Sequence, residues 1–143
     1  MSIFNHNSII ITIPSYPPSA NRLWRTGQGR TYLSEETKQF YKDVLISLLE
    51  TGNLRAPKSW KYFNVYIVLH PARKAGDVDN RIKPVLDAFT QAGFWDDDKQ
   101  VGKVSCEFGA VSKKPKIKVR ITPRKEKYLE HIEQPDWEGT ENE

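Results

Sequence analysis

The chain reads as an α/β protein of the α+β kind, a single domain in the order β-α-β-α-β-β, and three observations predict it. Apolar, β-branched runs at Ser8 to Ile13 and Tyr62 to Leu69 are closed by Pro14 and Pro71, as buried strands are. Two further stretches carry apolar residues at helical spacing and stop at glycine. Beyond Gln100 the pattern changes to strand-like alternation. A length of 143 residues suffices for one ordinary core without covalent staples.

Taken in order, Ser8 to Ile13 is the first strand. The segment PSYPPSANRLWRTGQGRTY that follows is expected to be a loop, because prolines and glycines oppose regular structure over most of its length. Along it Arg22, Arg25 and Arg30 alternate with Tyr16, Trp24 and Tyr32. Ser34 then offers an N-cap, with Glu35 and Glu36 favoured by the helix dipole. Phe40, Val44, Leu45, Leu48 and Leu49 recur at helical spacing until Gly52 and Asn53, giving a helix of about four turns whose apolar face is core. Tyr62 to Leu69, interrupted only by Asn64, suits a strand buried in a sheet. A second helix is expected from about Asp79 to Ala92, with Ile82, Val85, Leu86 and Phe89 on its apolar side and Gly93 as C-cap. Val101 to Val111 and Pro115 to Thr122 read as strands, with SKKPK as a hairpin loop between them.

Composition divides the chain near residue 122. Residues 123–143 hold seven acidic side chains against three basic ones, leaving 19 basic and 11 acidic residues in positions 1–122. The expected organisation is a basic domain, 1–122, followed by an acidic tail, 123–143. That tail is either disordered or a short amphipathic attachment through Tyr128, Leu129 and Ile132. A basic body is compatible with a polyanion partner, although a solvated Lys/Arg surface has the same composition.

Other classes are excluded more firmly. A lone Cys106 makes no internal disulfide, and His6, His70 and His131 lie too far apart for zinc spacing, which points to a reducing compartment. The start MSIFNHNS lacks a basic leader and no apolar run is long enough to span a bilayer, so a cytoplasmic protein without membrane contact is expected. No phosphate-binding GxxxxGK[ST], nucleophile elbow or HExxH occurs.

The chemistry concentrates in DVDNRIKPVLDAFTQAGFWDDDKQV, residues 77–101, which holds six aspartates and two lysines. Asp79, Lys83 and Asp87 are spaced four apart and share one helical stripe. Each acid alone has an ordinary explanation: Asp79 as an N-cap, Asp77 as a loop residue, and Asp96 to Asp98 as a polar turn. Together they repel one another and raise one another's pKa unless a cation intervenes. An all-carboxylate site suits Mg²⁺ or Mn²⁺, and such an ion beside a phosphodiester activates water and offsets charge in the transition state. Lys83, on the same stripe, would orient water or stabilise that charge. A calcium loop is ruled out by its pattern. Counted from Asp77, Ile82 and Ala88 occupy the glycine and glutamate positions; counted from Asp96, Val101 occupies the glycine position.

PPSANRLWR, DVDNRIKPVLDAF and GFWDDDKQV together resemble the RusA-type crossover-junction endodeoxyribonucleases of bacteria and their phages, over roughly residues 9 to 122. The Asp-x-Asp-Asn, the lysine three residues after it, the aspartate further along the helix and Asp-Asp-x-Gln-Val match in order and spacing. The resemblance implies that Asp77, Asp79 and Asp98 bind a catalytic Mg²⁺, for which Mn²⁺ would substitute, and that Lys83 is the catalytic lysine. Asn80, Asp87 and Asp97 take supporting roles, with Asp98 rather than Asp97 as third ligand; Asp96 departs from the less acidic residue usual there. The resemblance further implies a small mixed β-sheet with two main helices and a homodimer. Each subunit would cut one strand of a four-way (Holliday) junction, symmetrically, in recombination and repair. Arg22, Arg25, Arg30, Arg73, Lys74, Lys113 and Lys114 then become candidate DNA-phosphate contacts, and Trp24 or Trp95 candidate wedges at unpaired bases. Trp95 beside Phe94 equally suits a core anchor. Two other functions fit the same residues: a nuclease of forks or flaps, and a non-catalytic junction-binding protein whose acids are structural.

Overall fold

Alternation along Tyr62–His70 organises the molecule. Phe63, Val65, Ile67 and Leu69 are buried on one side of this strand, whereas Tyr62, Asn64, Tyr66, Val68 and His70 are only half-buried on the other. In the computed structural model, which describes residues 8–129, it is β4, one of two interior strands of a four-stranded mixed sheet. Its companions are β1 (Ile9–Ile13), β5 (Val101–Phe108) and β6 (Lys116–Arg124), in the order β1-β6-β4-β5. β4 pairs with β5 in parallel and with β6 antiparallel, and β6 pairs antiparallel with β1. The α+β class and the mixed sheet are as the sequence led us to expect.

Two helices cover one face. α1 (Glu35–Glu50) begins where Ser34 Oγ accepts the Thr37 N–H at 3.2 Å, and the buried Ser34 and Thr37 hydroxyls lie 2.7 Å apart. α2 (Ile82–Ala92) ends at Gly93, whose φ of 83° lets Gly93 N–H reach Thr90 O and Phe94 N–H reach Phe89 O, both at 3.0 Å. Phe40, Val44 and Leu48 of α1 and Val85, Ala88 and Phe89 of α2 close over Ile11, Ile13, Ile67, Val119 and Ile121. A fully buried side chain of this size contributes roughly 1.5–3 kcal/mol, so this layer carries most of the stability. No helix among the described residues lies on the opposite sheet face. Among the described residues no helix is long and apolar enough to cross a membrane.

Several expectations are corrected. The segment read as a loop contains a β-hairpin, β2 (Trp24–Gly27) with β3 (Arg30–Leu33), turned by Gln28 and Gly29 at φ 52° and 76°. Positive φ at both central residues matches the twist of the flanking strands. β5 and β6 do not form a hairpin, because β4 lies between them and the connection passes its end. The second helix starts at Ile82. Pro84 cannot donate to the Asn80 carbonyl, so Asp79–Arg81 forms a 3-10 turn instead. Leu45 and Leu49 are 37% and 54% exposed rather than core, since α1 meets β1 and α2 along only part of its circumference. Finally, β6 runs to Arg124, past the compositional boundary at 122. Tyr128 and Leu129 are exposed, and Ile132 lies outside the described residues.

Candidate active site

The head of α2 is built by two loops that hold one another. Arg81 donates from Nη1 to Pro17 O at 2.7 Å, and its guanidinium lies 5.2 Å from the centre of the Tyr16 ring. The 3-10 turn Ala20–Arg22 therefore touches Asp79–Arg81, which brings PPSANR against DVDNR. Asp77 precedes this turn in exposed backbone and accepts a hydrogen bond from Asn80 Nδ2 at 3.3 Å. Asp79 is exposed, and no side-chain capping bond is made at this turn or at the start of α2. A purely capping role does not account for Asp79.

Along the outer face of α2, Lys83 Nζ lies 3.3 Å from Asp87 Oδ2. The turn after the helix carries the remaining acids. Trp95 is buried at 2% exposure, stacks on Phe89 with ring centres 5.5 Å apart, and donates from Nε1 to Thr90 Oγ1 at 2.7 Å. It therefore anchors the turn to α2 and is unavailable as a wedge; Trp24, 58% exposed on the hairpin, remains open to solvent. Asp96 pairs with Arg55 at 3.1 Å, and Arg55 also donates to Gly93 O at 2.7 Å. Asp97 accepts from Lys99 N–H at 2.8 Å and forms a reciprocal cap with Gln100, whose Oε1 accepts from Asp97 N–H at 3.1 Å. That backbone bond holds the Asp97 carboxyl below its ordinary range. Asp98 behaves oppositely. Burial, then the neighbouring Asp97 carboxyl and the charge of Asp87, push its pKa up, and Lys83 opposes them.

The three aspartates of the turn thus have different employment: Asp96 in an ion pair, Asp97 in a cap, Asp98 facing the α2 stripe. The structure brings together Lys83, Asp87 and Asp98 beside α2, while Asp79 and Asp77 lie in and before the 3-10 turn at its head. Among the described residues no three acidic, histidine or cysteine side chains lie close enough together to share a metal ion. The donor chemistry fits a hard cation. Oxygen ligands are exposed at Asp77 and Asp79, and like-charge repulsion around Asp98 would be relieved by positive charge.

The basic candidates separate into groups. Arg73 and Lys74 lie in the connection after β4 and Lys113 and Lys114 in the one before β6; Ser112 N–H donates to Pro71 O at 2.9 Å, so these loops meet at one end of the sheet. Arg22 belongs to the 3-10 turn Ala20–Arg22, which touches the Asp79 turn. Arg25, Arg30 and Tyr32 share one face of the hairpin. All seven cations are exposed.

Two sets of residues escaped the sequence reading. Arg55 fixes the acidic turn from 38 and 41 positions away, a non-local contact without local signal. The uncovered sheet face carries Lys103, Lys118 and Arg120, with Lys103 Nζ and the Arg120 guanidinium 5.7 and 5.9 Å from the Tyr66 ring centre. The alternation of Lys116, Lys118 and Arg120 with buried Ile117, Val119 and Ile121 was the available sign of it.

The family model for endodeoxyribonuclease RusA matches residues 14–122. Among similar proteins are the crossover junction endodeoxyribonucleases RusA of Shigella sonnei (strain Ss046), Escherichia coli (strain K12) and Enterobacteria phage 82. Each is 36% identical over 117 residues, 81% of this chain and 95% of the relative. On a match that begins just after β1 and spans β4, β5, most of β6, both helices and every aspartate from Asp77 to Asp98, the chain belongs to the RusA family of endodeoxyribonucleases.

Proposed function

We propose that the protein is a crossover-junction endodeoxyribonuclease that depends on a divalent metal ion and cuts four-way DNA junctions by paired, symmetric strand breaks in recombination and repair. The observation that carries this reading is the coincidence of the family match with acids that flank both ends of α2 and a Lys83–Asp87 pair on the helix, beside exposed cations on the adjoining loops. Asp77, Asp79 and Asp98 would hold the ion, Mg²⁺ with Mn²⁺ as substitute. When bound, it supplies Lewis acidity and lowers the pKa of water.

The chain's own groups do the rest. Asn80 orients Asp77, while Asp97 and Gln100 fix the backbone that presents Asp98. Lys83, 64% exposed and steered by Asp87, reaches toward the phosphate to stabilise developing negative charge. Arg22, Arg73, Lys74, Lys113 and Lys114 hold DNA phosphates at the loop end; Arg25 and Arg30 do so from the hairpin, and Lys118 and Arg120 along the open sheet face. Two cuts require two sites, and a homodimer acting in the cytoplasm of a bacterium or phage-infected cell provides them.

The test is cleavage of a labelled four-way junction beside linear duplex and a three-way fork, with Mg²⁺ or EDTA and with Asp79→Asn as control. Paired symmetric cuts in the four-way junction alone, dependent on Mg²⁺ and Asp79, support the reading. Preferential fork cutting replaces it with a fork nuclease, and tight binding without cutting under any divalent ion replaces it with a junction-binding protein. Sedimentation of the active enzyme as a strict monomer would refute the dimer.

A further inference from the structure

Between the 71–76 connection and the end of β5 lies a cleft of about 490 Å³ that the cutting reaction as described leaves unused. Pro71, Gly76 and Gly109 line it, Lys74 stands in it, and Phe108 and Val111 face it while 45% and 44% exposed. Among the described residues no acidic side chain lines it. Its walls are held in advance of any ligand. Gly109 N–H donates to Leu69 O at 2.7 Å, Ser112 N–H donates to Pro71 O at 2.9 Å, and His70 Nδ1 lies 2.8 Å from Ala110 O. A side chain at position 109 would lie 2.5 Å from His70 Cε1 and 2.7 Å from Val68 Cγ1, so only glycine lets this backbone press onto β4.

Position matters as much as shape. Gly76, in the cleft wall, is followed directly by Asp77, and Arg73 lies in the same connection. An apolar slot with an aromatic ring on one side and an ammonium within it, one residue from a carboxylate of the acid stripe, matches the two halves of a nucleotide: an apolar, stackable base and an anionic phosphate. A peptide or a second copy of the chain has no comparable demand for that cation.

We infer that the cleft takes one nucleobase, unstacked at the branch point beside the cleaved phosphate, with Phe108 as its stacking platform, Val111 as a second wall and Lys74 on its phosphate. The inference rests on the nuclease reading and adds a specificity-determining residue to it. A base that must enter the cleft before its neighbouring phosphate can be cut makes the choice of cutting site depend on which base occupies the branch.

The experiment uses the full chain and four-way junctions carrying 2-aminopurine at each branch nucleotide in turn, bound without divalent ions so that nothing is cut. Wild type is expected to change the fluorescence at one branch position. Phe108→Ala abolishes that change and lowers junction affinity about tenfold, within the range that base–aromatic stacking gives. Phe108→Leu, which keeps apolar volume but removes the ring face, also abolishes it, and Phe108→Trp retains it. With Mg²⁺ restored, Phe108→Ala cuts a branch-randomised junction pool with a flatter sequence preference than wild type. If Phe108→Ala and Phe108→Leu keep the wild-type fluorescence change, affinity and cut-site distribution, the inference is overturned although the nuclease reading stands. A wild-type protein that never cuts defeats the nuclease reading instead, and does so independently of the fluorescence.

Discussion

Replacing Lys83 by glutamine separates what this residue does for the fold from what it does for cleavage. Its ion pair with Asp87, at 3.3 Å with side chains 64% and 26% exposed, is a one-turn helix pair of the surface kind. Such pairs contribute about 0.3–0.5 kcal/mol. For a domain of this size roughly 1 kcal/mol shifts the melting temperature by about 2–6 °C, so Lys83→Gln should melt only about 1–3 °C lower. A donor aimed at developing charge in a water-poor site is worth more, about 2.7–4 kcal/mol, or roughly 10²–10³ in rate. The assay is single-turnover cleavage, enzyme in excess over a labelled four-way junction, with melting followed on the same preparation. A rate lowered by two to three orders of magnitude is expected, with junction affinity changed no more than a few-fold and a small melting shift. Lys83→Arg keeps the positive charge and should recover part of the rate. A glutamine variant within about fivefold of wild type, or one whose loss of rate follows its loss of folded protein, would refute a chemical role for Lys83.

Asp98→Asn should stabilise the metal-free protein while removing cleavage. The folded pKa of Asp98 is raised, so its charged form weakens the fold as pH rises through that value. At pH 7 the variant should melt higher by on the order of 1 °C, a gap that closes near pH 3, where both forms are neutral; a lower melting point at pH 7 would contradict the cost of burying that charge beside Asp97 and Asp87. Lys118→Ala and Arg120→Ala should each make the slope of log affinity against log salt shallower by roughly one unit, with no change in cut position, and an unaltered slope would remove the open sheet face from the DNA path. Cys106, pushed up to about 11 by burial and then by Glu107, should remain a thiol at pH 8 and alkylate far more slowly in native protein than in urea. Equal rates would show that the edge strand β5, which carries Cys106, opens freely.

The helical features were legible because helices are local. The Ser34 cap, the Gly93 stop and the Lys83–Asp87 pair each follow from spacing along one segment, while Asp79, expected on the same helical stripe, falls in the 3-10 turn before α2. Topology was not. Alternation in Val101–Phe108 and Lys116–Arg124 identifies strands without naming their neighbours, and a short connection between them suggests a hairpin; only the central β4 explains why they are apart. The β2–β3 hairpin was hidden for another reason. Its strands are four residues long and mostly exposed, and its turn is Gln28-Gly29 rather than Asn-Gly or Asp-Gly. In the site, the consecutive Asp96, Asp97 and Asp98 look alike in sequence. Their different roles come from Arg55, Lys99 N–H and Asp87, and the first and last of these are brought there by tertiary packing.

That packing also explains why a charged stripe can be held in register on so small a domain. Val85, Ala88 and Phe89 are fully buried beneath the face that displays Lys83 and Asp87, so the orientation of the stripe is set by core packing rather than by its own weak ion pair. The same Phe89 ring stacks on Trp95, and Phe94 meets Phe89 edge-on at 5.4 Å, which ties the turn bearing Asp98 to the helix bearing Lys83. Arg55 closes the arrangement from outside through Gly93 O and Asp96. Asp96 and Asp97 hold their turn through Arg55 and the Gln100 cap, whereas Asp98 is opposed by Asp97 and Asp87 and does not hold the turn itself. The placement of Asp98 beside Lys83 is therefore enforced mainly by an aromatic cluster that does not depend on the charge of Asp98, and this independence lets cleavage be removed at Asp98 while the fold is preserved.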